Sequence, residues 1–170
     1  MKRILTALAV ALLWWSPSPA GQEFSMENAA ALLRKLSVEI GPRPMGSPAE
    51  REALAFAAAK LREYGCDSAY VMPMMQTAAV NTSSGVAVGI MKGKTGRIII
   101  LGGHIDSAGP EIPGANDDGS GTAVVLEAAR VLSGKELEST VVFALFGGEE
   151  QGLEGSEYFV ERFEPLEFFA

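Results

Sequence analysis

Cysteine and histidine are the scarcest chemical resources of this chain, with one of each in 170 residues. A lone Cys66 excludes an internal disulfide, and its plain reading is a buried thiol without a chemical role. Positive charge is also short: 14 Lys and Arg stand against 21 Asp and Glu, for a net charge of −7. A polyanion is therefore a poor partner, and nucleic acid binding is not expected. The longest apolar run near the amino terminus, Ile4 to Trp15, is well short of the roughly 20 residues that span a bilayer. What remains is a chain with 48% hydrophobic and 21% charged residues. That balance excludes disordered and collagen-like classes and suits a single globular domain.

Lys2 and Arg3, the short apolar run and the small residues Ser16 to Ala20 have the layout of a secretory signal peptide. Two regions are expected: a leader over 1–20 and a mature soluble domain over 21–170. Removing Lys2 and Arg3 with the leader leaves 12 basic against 21 acidic side chains, or −9. An exported location, periplasmic or secreted, follows, with no membrane association after cleavage.

In the mature region, Ser25 offers a helix cap, and Leu32, Leu33, Leu36 and Ile40 recur at helical spacing until Gly41-Pro-Arg-Pro. Ser47-Pro-Ala-Glu50 is a capping box that opens a second helix, with Leu54, Ala58, Leu61 and Tyr64 on one face and Gly65 as its stop. Ser68–Met75 and Gly85–Met91 read as strands. Arg97–Leu101 is a β-branched run with the signature of a central strand covered on both faces. A helix is expected over Thr122–Leu132, with Val124, Val125, Ala128, Ala129 and Leu132 inward. Thr140–Phe146 repeats the buried-strand signature, and Leu153–Phe163 can be helical. Strand, loop, helix, strand, loop, helix implies a parallel pair and an α/β fold.

Chemistry-bearing residues collect where such strands end. His104, Asp106 and Asn116-Asp117-Asp118 follow the first buried strand, and Glu149 and Glu150 follow the second. Loops at the carboxyl ends of neighbouring parallel strands converge, so the two sets should meet. Imidazole and several carboxylates in a small space need a compensating cation, and this donor set suits zinc or a related divalent ion. Asp106, two residues from His104, is placed to accept the second imidazole N–H and fix its tautomer. Asp117 is the candidate bridge if two ions are present, whereas Asp118 can do no more than cap the following helix. Adjacent Glu149 and Glu150 diverge, so one can hold metal while the other serves as a base beside it. Serine hydrolysis is disfavoured, since Gly119-Ser120-Gly121 lacks nucleophile-elbow spacing and His104 is the only available base. Met72, Met74 and Met75 read as hydrophobic packing rather than thioether ligands.

Four stretches, Ile40–Ser47, Gly102–Ser107, Pro113–Gly121 and Phe146–Gly152 with Gly155-Ser156, together resemble the zinc aminopeptidase family that includes glutamate carboxypeptidase and glutaminyl cyclase relatives. The resemblance covers roughly residues 27 to 160. It implies a three-layer α/β/α fold with a mixed, mainly parallel sheet. It implies two zinc ions, with His104 ligating one, Glu150 the other and Asp117 bridging both. It further implies Glu149 as general base, Asp106 orienting His104, a cis Asp117–Asp118 peptide bond and a peptide substrate cut at its amino terminus.

The family continues for another half-domain, which adds an acidic ligand, a second histidine and further strands. On that resemblance the chain reads as an amino-terminal part of a zinc exopeptidase, with carboxyl-terminal strands missing, an apolar sheet edge exposed and Glu164–Ala170 out of native context. Two rival functions are a non-catalytic binding domain on the same fold and a glutaminyl cyclase. Substrate side-chain preference and oligomeric state are not encoded in readable form.

Overall fold

A computed structural model describes residues 22–74 and 84–163. The leader, Met75 and Glu164–Ala170 lie outside the described residues. The first helix, α1 (Met26–Arg34), starts where Ser25 Oγ accepts from Asn28 N, and it winds on through a π-helical turn over Lys35–Ile40. Gly41, at φ +82°, then takes the chain where a side-chain-bearing residue would be strained. The second helix, α2 (Pro48–Glu63), is capped by Ser47 Oγ accepting from Glu50 N. The expected capping box is only half formed, because the Glu50 carboxylate turns inward. It accepts from Gly46 N at 2.6 Å and from Ser84 Oγ at 2.6 Å instead of returning to Ser47.

Strands β1 (Ser68–Pro73), β2 (Gly85–Met91), β3 (Thr95–His104) and β4 (Ser139–Phe146) form one mixed sheet in the order β1-β2-β4-β3. The β1–β2 and β2–β4 pairs are antiparallel and the β3–β4 pair is parallel. Among the described residues, parallel pairing is thus confined to the two strands that carry the site, a smaller share than the sequence suggests.

Alternation along β2 divides the interior. Val86, Val88 and Ile90 join Val142, Ala144 and Phe159 in one cluster, while Ala87 and Met91 join the larger cluster of Leu36, Leu54, Leu61, Leu126 and Phe143. Helices α1, α2 and α3 (Ser120–Leu132) pack on the second face, and α4 (Glu154–Arg162) brings Phe159 to the first. Burial of these side chains is the main stabilising term, at about 1.5–3 kcal/mol for each large aliphatic or aromatic group.

Two expectations are corrected. Among the described residues, the run Arg97–Leu101 lies at the sheet edge rather than its centre, and Ile99 and Ile100 are 51% and 52% exposed, in line with the expected open apolar edge but not with a strand covered on both faces. In α3, Val124 faces outward at 51% exposure. Thr122 Oγ1 donates to His104 O at 2.8 Å, which turns Thr122, Leu126 and Ala129 toward the sheet in its place.

Candidate metal centre

His104 is the last residue of β3, and its backbone pairs across the parallel ladder with Phe146, the last residue of β4. Ile105 N continues the ladder by donating to Phe146 O at 2.7 Å. The loops that follow are therefore launched side by side. Asp106 is completely buried and receives the amides of Glu149 at 3.1 Å and Glu150 at 3.2 Å. One carboxylate thus joins the loop after β3 to the loop after β4. Asp106 Oδ1 also lies 3.4 Å from His104 Nδ1, a charge contact outside good hydrogen-bond geometry.

Asp117 arrives from an irregular turn, Ala115–Gly119, in which its own φ and ψ of −120° and 101° are extended. Its Oδ1 stands 2.9 Å from His104 Nε2. The Asp117–Asp118 peptide bond is cis, as the resemblance implies. Asp118 does more than the cap expected of it: Oδ1 accepts from Gly121 N at 2.9 Å, and Oδ2 accepts from the backbone N–H of His104 at 3.1 Å. A Cβ at Gly103 would come within 2.8 Å of Asp118 Oδ2, so this close approach requires glycine.

Glu149 Oε2 lies 3.7 Å from His104 Nε2. One ligand atom from each of His104, Glu149 and Glu150 falls within 4.8 Å of the others. A cleft of about 380 Å³, bordered by Ile112, Pro113, Gly114, Asn116, Asp117 and Glu150, opens beside them.

Electrostatics follow from this crowding. Asp106, then Asp117 and Glu149, hold the His104 imidazolium up to about 9 against the opposing effect of burial. Desolvation, followed by the negative charge of Asp117, pushes the Glu150 carboxyl above its ordinary value. A divalent cation would relieve both, since it takes the place of the imidazole proton and compensates the acids. The convergence of one nitrogen and two carboxylate donors, from His104, Glu149 and Glu150, with Asp117 beside His104 Nε2, fits such an ion.

All five residues expected from the sequence are thus brought to one place. Arg43 and Ser107, which tie the loop carrying Asp106 to the end of the first helix, have no role readable from local pattern. Arg43 lies in the Ile40–Ser47 stretch, but nothing local signals that three of its five acceptors are 62 to 71 residues away.

An α/β sheet whose parallel pair ends in clustered imidazole and carboxylate donors has the layout of the α/β proteins that bind ligands at the carboxyl edge of the sheet. Within that class, residues 86–168 match the model of peptidase family M28. A probable zinc metalloprotease of Leptosphaeria maculans is 32% identical over 161 residues, covering 81% of this chain and 37% of the relative. Aminopeptidase YwaD of Bacillus subtilis is 42% identical over 93 residues, covering 53% of this chain and 20% of its own. The structure of BSAP, a zinc aminopeptidase from Bacillus subtilis, superimposes with a TM-score of 0.72 at 20% identity, over 84% of this chain and 66% of that one. The resemblance to zinc aminopeptidases therefore holds in sequence and in fold. The chain spans about a third of the length of the first curated relatives it matches.

Proposed function

We propose that the protein acts as a metal-dependent exopeptidase, an aminopeptidase that hydrolyses the amino-terminal peptide bond of its substrate. The observation that carries this reading is the meeting of His104, Asp117, Glu149 and Glu150 at the ends of two parallel strands, with ligand atoms of His104, Glu149 and Glu150 within 4.8 Å of one another. His104 and Glu150 would hold zinc, with Asp117 shared between two ions in the complete site. When bound, zinc polarises the scissile carbonyl and lowers the pKa of water.

Everything else is the work of the chain. Asp106, 3.4 Å from His104 Nδ1, would orient the imidazole from that side and leave Nε2 to the metal. The same carboxylate, through the amides of Glu149 and Glu150, sets the second loop against the first. Glu149 takes a proton from the attacking water and returns it to the departing amine. The cleft beside Asp117 and Glu150 receives the substrate. An exported location is part of the proposal and rests on the leader-like residues 1–20. No helix among the described residues is long and apolar enough to cross a membrane.

Zinc-dependent release of a chromophore from an amino acid amide tests the reading. Turnover that disappears with a chelator and returns with zinc is expected. Tight zinc binding without turnover would favour a non-catalytic binding domain, and pyroglutamate formation from an amino-terminal glutamine at one zinc per chain would favour a cyclase.

A further inference from the structure

Arg43 is the largest fully buried side chain among the described residues, at 0% exposure. Its guanidinium makes no hydrogen bond to a carboxylate among those described and is spent on carbonyls. Nε donates to Ile105 O at 2.8 Å. Nη1 donates to Leu36 O, Gly41 O and Pro113 O, each at 2.8 Å, and Nη2 donates to Gly114 O at 3.1 Å. The main chain adds a reciprocal tie: Arg43 N donates to Ser107 Oγ at 2.8 Å, and Ser107 N donates to Arg43 O at 3.1 Å. Desolvation opposes this buried charge, and the field of Asp106 offsets part of the cost. A core selected for stability alone is better served by apolar packing than by a buried ion, so the position of these acceptors is informative.

Three of the five, the carbonyls of Ile105, Pro113 and Gly114, lie on the loops of the site. Ile105 sits between His104 and Asp106, and Ser107 follows Asp106. Pro113 and Gly114 begin the turn that delivers Asp117. One planar fork thus spans the loop after β3 and the loop that precedes α3, and it ties both to the end of the first helix. The His104 Nε2 to Asp117 Oδ1 separation of 2.9 Å is set between these two loops.

We propose that Arg43 is a positioning residue of the metal centre, holding the His104–Asp106 and Pro113–Asp117 loops at the separation that lets His104 and Asp117 face one cation. The inference rests on the reading of the site as a metal centre. Lysine keeps the charge but presents a single nitrogen in place of three, and it cannot serve five acceptors in a fork.

The test compares the wild-type protein with Arg43→Lys, Ser107→Ala and Glu127→Gln. Glu127 bonds Ser25, Asn28 and Arg130 and none of the site residues, so its variant controls for lost stability. Zinc affinity is read by competition with a chromophoric chelator, the Co²⁺-loaded visible spectrum reports ligand geometry, and urea unfolding reports stability. Arg43→Lys is expected to lose about 10–100-fold in zinc affinity, the range for groups supporting metal ligands, and to change the cobalt bands. Glu127→Gln is expected to keep wild-type affinity and spectrum despite lower stability.

A folded Arg43→Lys protein with wild-type affinity and spectrum overturns the proposal, as does an equal loss of affinity in Glu127→Gln. If Arg43→Lys does not fold, Ser107→Ala decides: a smaller loss of affinity supports the proposal and an unchanged affinity overturns it. A wild-type protein that binds neither ion contradicts the reading of the site itself and takes the proposal down with it.

Discussion

At the scale of single residues, adjacent glutamates with different surroundings are the sharpest feature, and the proposed function gives Glu149 the base and Glu150 the metal. Both receive their backbone position from Asp106, yet Glu149 reaches toward His104 Nε2 while Glu150 borders the cleft. Glu149→Gln is therefore expected to lower kcat by about 10²–10⁴-fold, the usual contribution of a general base, with zinc content by elemental analysis unchanged. Glu150→Gln is expected to lose zinc as well. These donors were legible because each follows an apolar β-run, and strand ends are where an α/β sheet gathers its polar loops. Asp118 on the His104 amide and Arg43 across five carbonyls were not legible, because their roles depend on chain crossings that no local pattern records.

Glu50 makes a second residue-scale prediction. Burial pushes its carboxyl up to about 7, against the opposing hydrogen bonds from Ser84 and Gly46. Because the folded-state value is above the ordinary 4.5, its contribution to stability is complete below about pH 4.5 and is lost as pH rises through 7. Urea unfolding at pH 5 and pH 8 is expected to show Glu50→Gln gaining on the wild type by about 1–3 kcal/mol over that interval, from 1.36 kcal/mol per unit of displaced pKa. A constant difference across the interval would contradict it.

At the scale of elements, α1 is fastened to α3 by a charged group that the helical pattern did not reveal. Glu127 is fully buried and accepts from Arg130 Nε at 2.8 Å, from Ser25 N at 2.6 Å and from Asn28 Nδ2. Arg130 first, then Ser25 and Asn28, holds its carboxyl down to about 2. The sign is opposite to that of Glu50: the contribution is present above pH 4.5 and is lost as pH falls through about 2. Glu127→Gln should cost about 1–2 kcal/mol at pH 7, allowing for solvent screening near the rim of the network. That difference should shrink in urea melts taken below pH 3. Capping residues and glycine stops made the element boundaries readable. The rotation of α3 was not, because the Thr122 bond to His104 O outweighed the intrinsic preference of Val124 for the interior.

At the scale of the whole molecule, β3 is where pattern and placement part. A run of β-branched residues states that a strand is apolar, and only its neighbours decide whether it is covered. Ile99 and Ile100 stand half exposed on an edge that is open among the described residues. Such an edge templates pairing with other chains. Sedimentation velocity should show concentration-dependent association of the protein, reduced by Ile100→Lys.

The same strand ends at the candidate metal centre, where His104 and its acidic neighbours are expected to take up an ion. Zinc titration against a competing chelator, run on the wild type and on His104→Ala, tests this most directly. Saturable zinc binding that weakens at least about tenfold in His104→Ala, in keeping with loss of a ligand, is the predicted result. Equal binding by both proteins, or none by either, would contradict it.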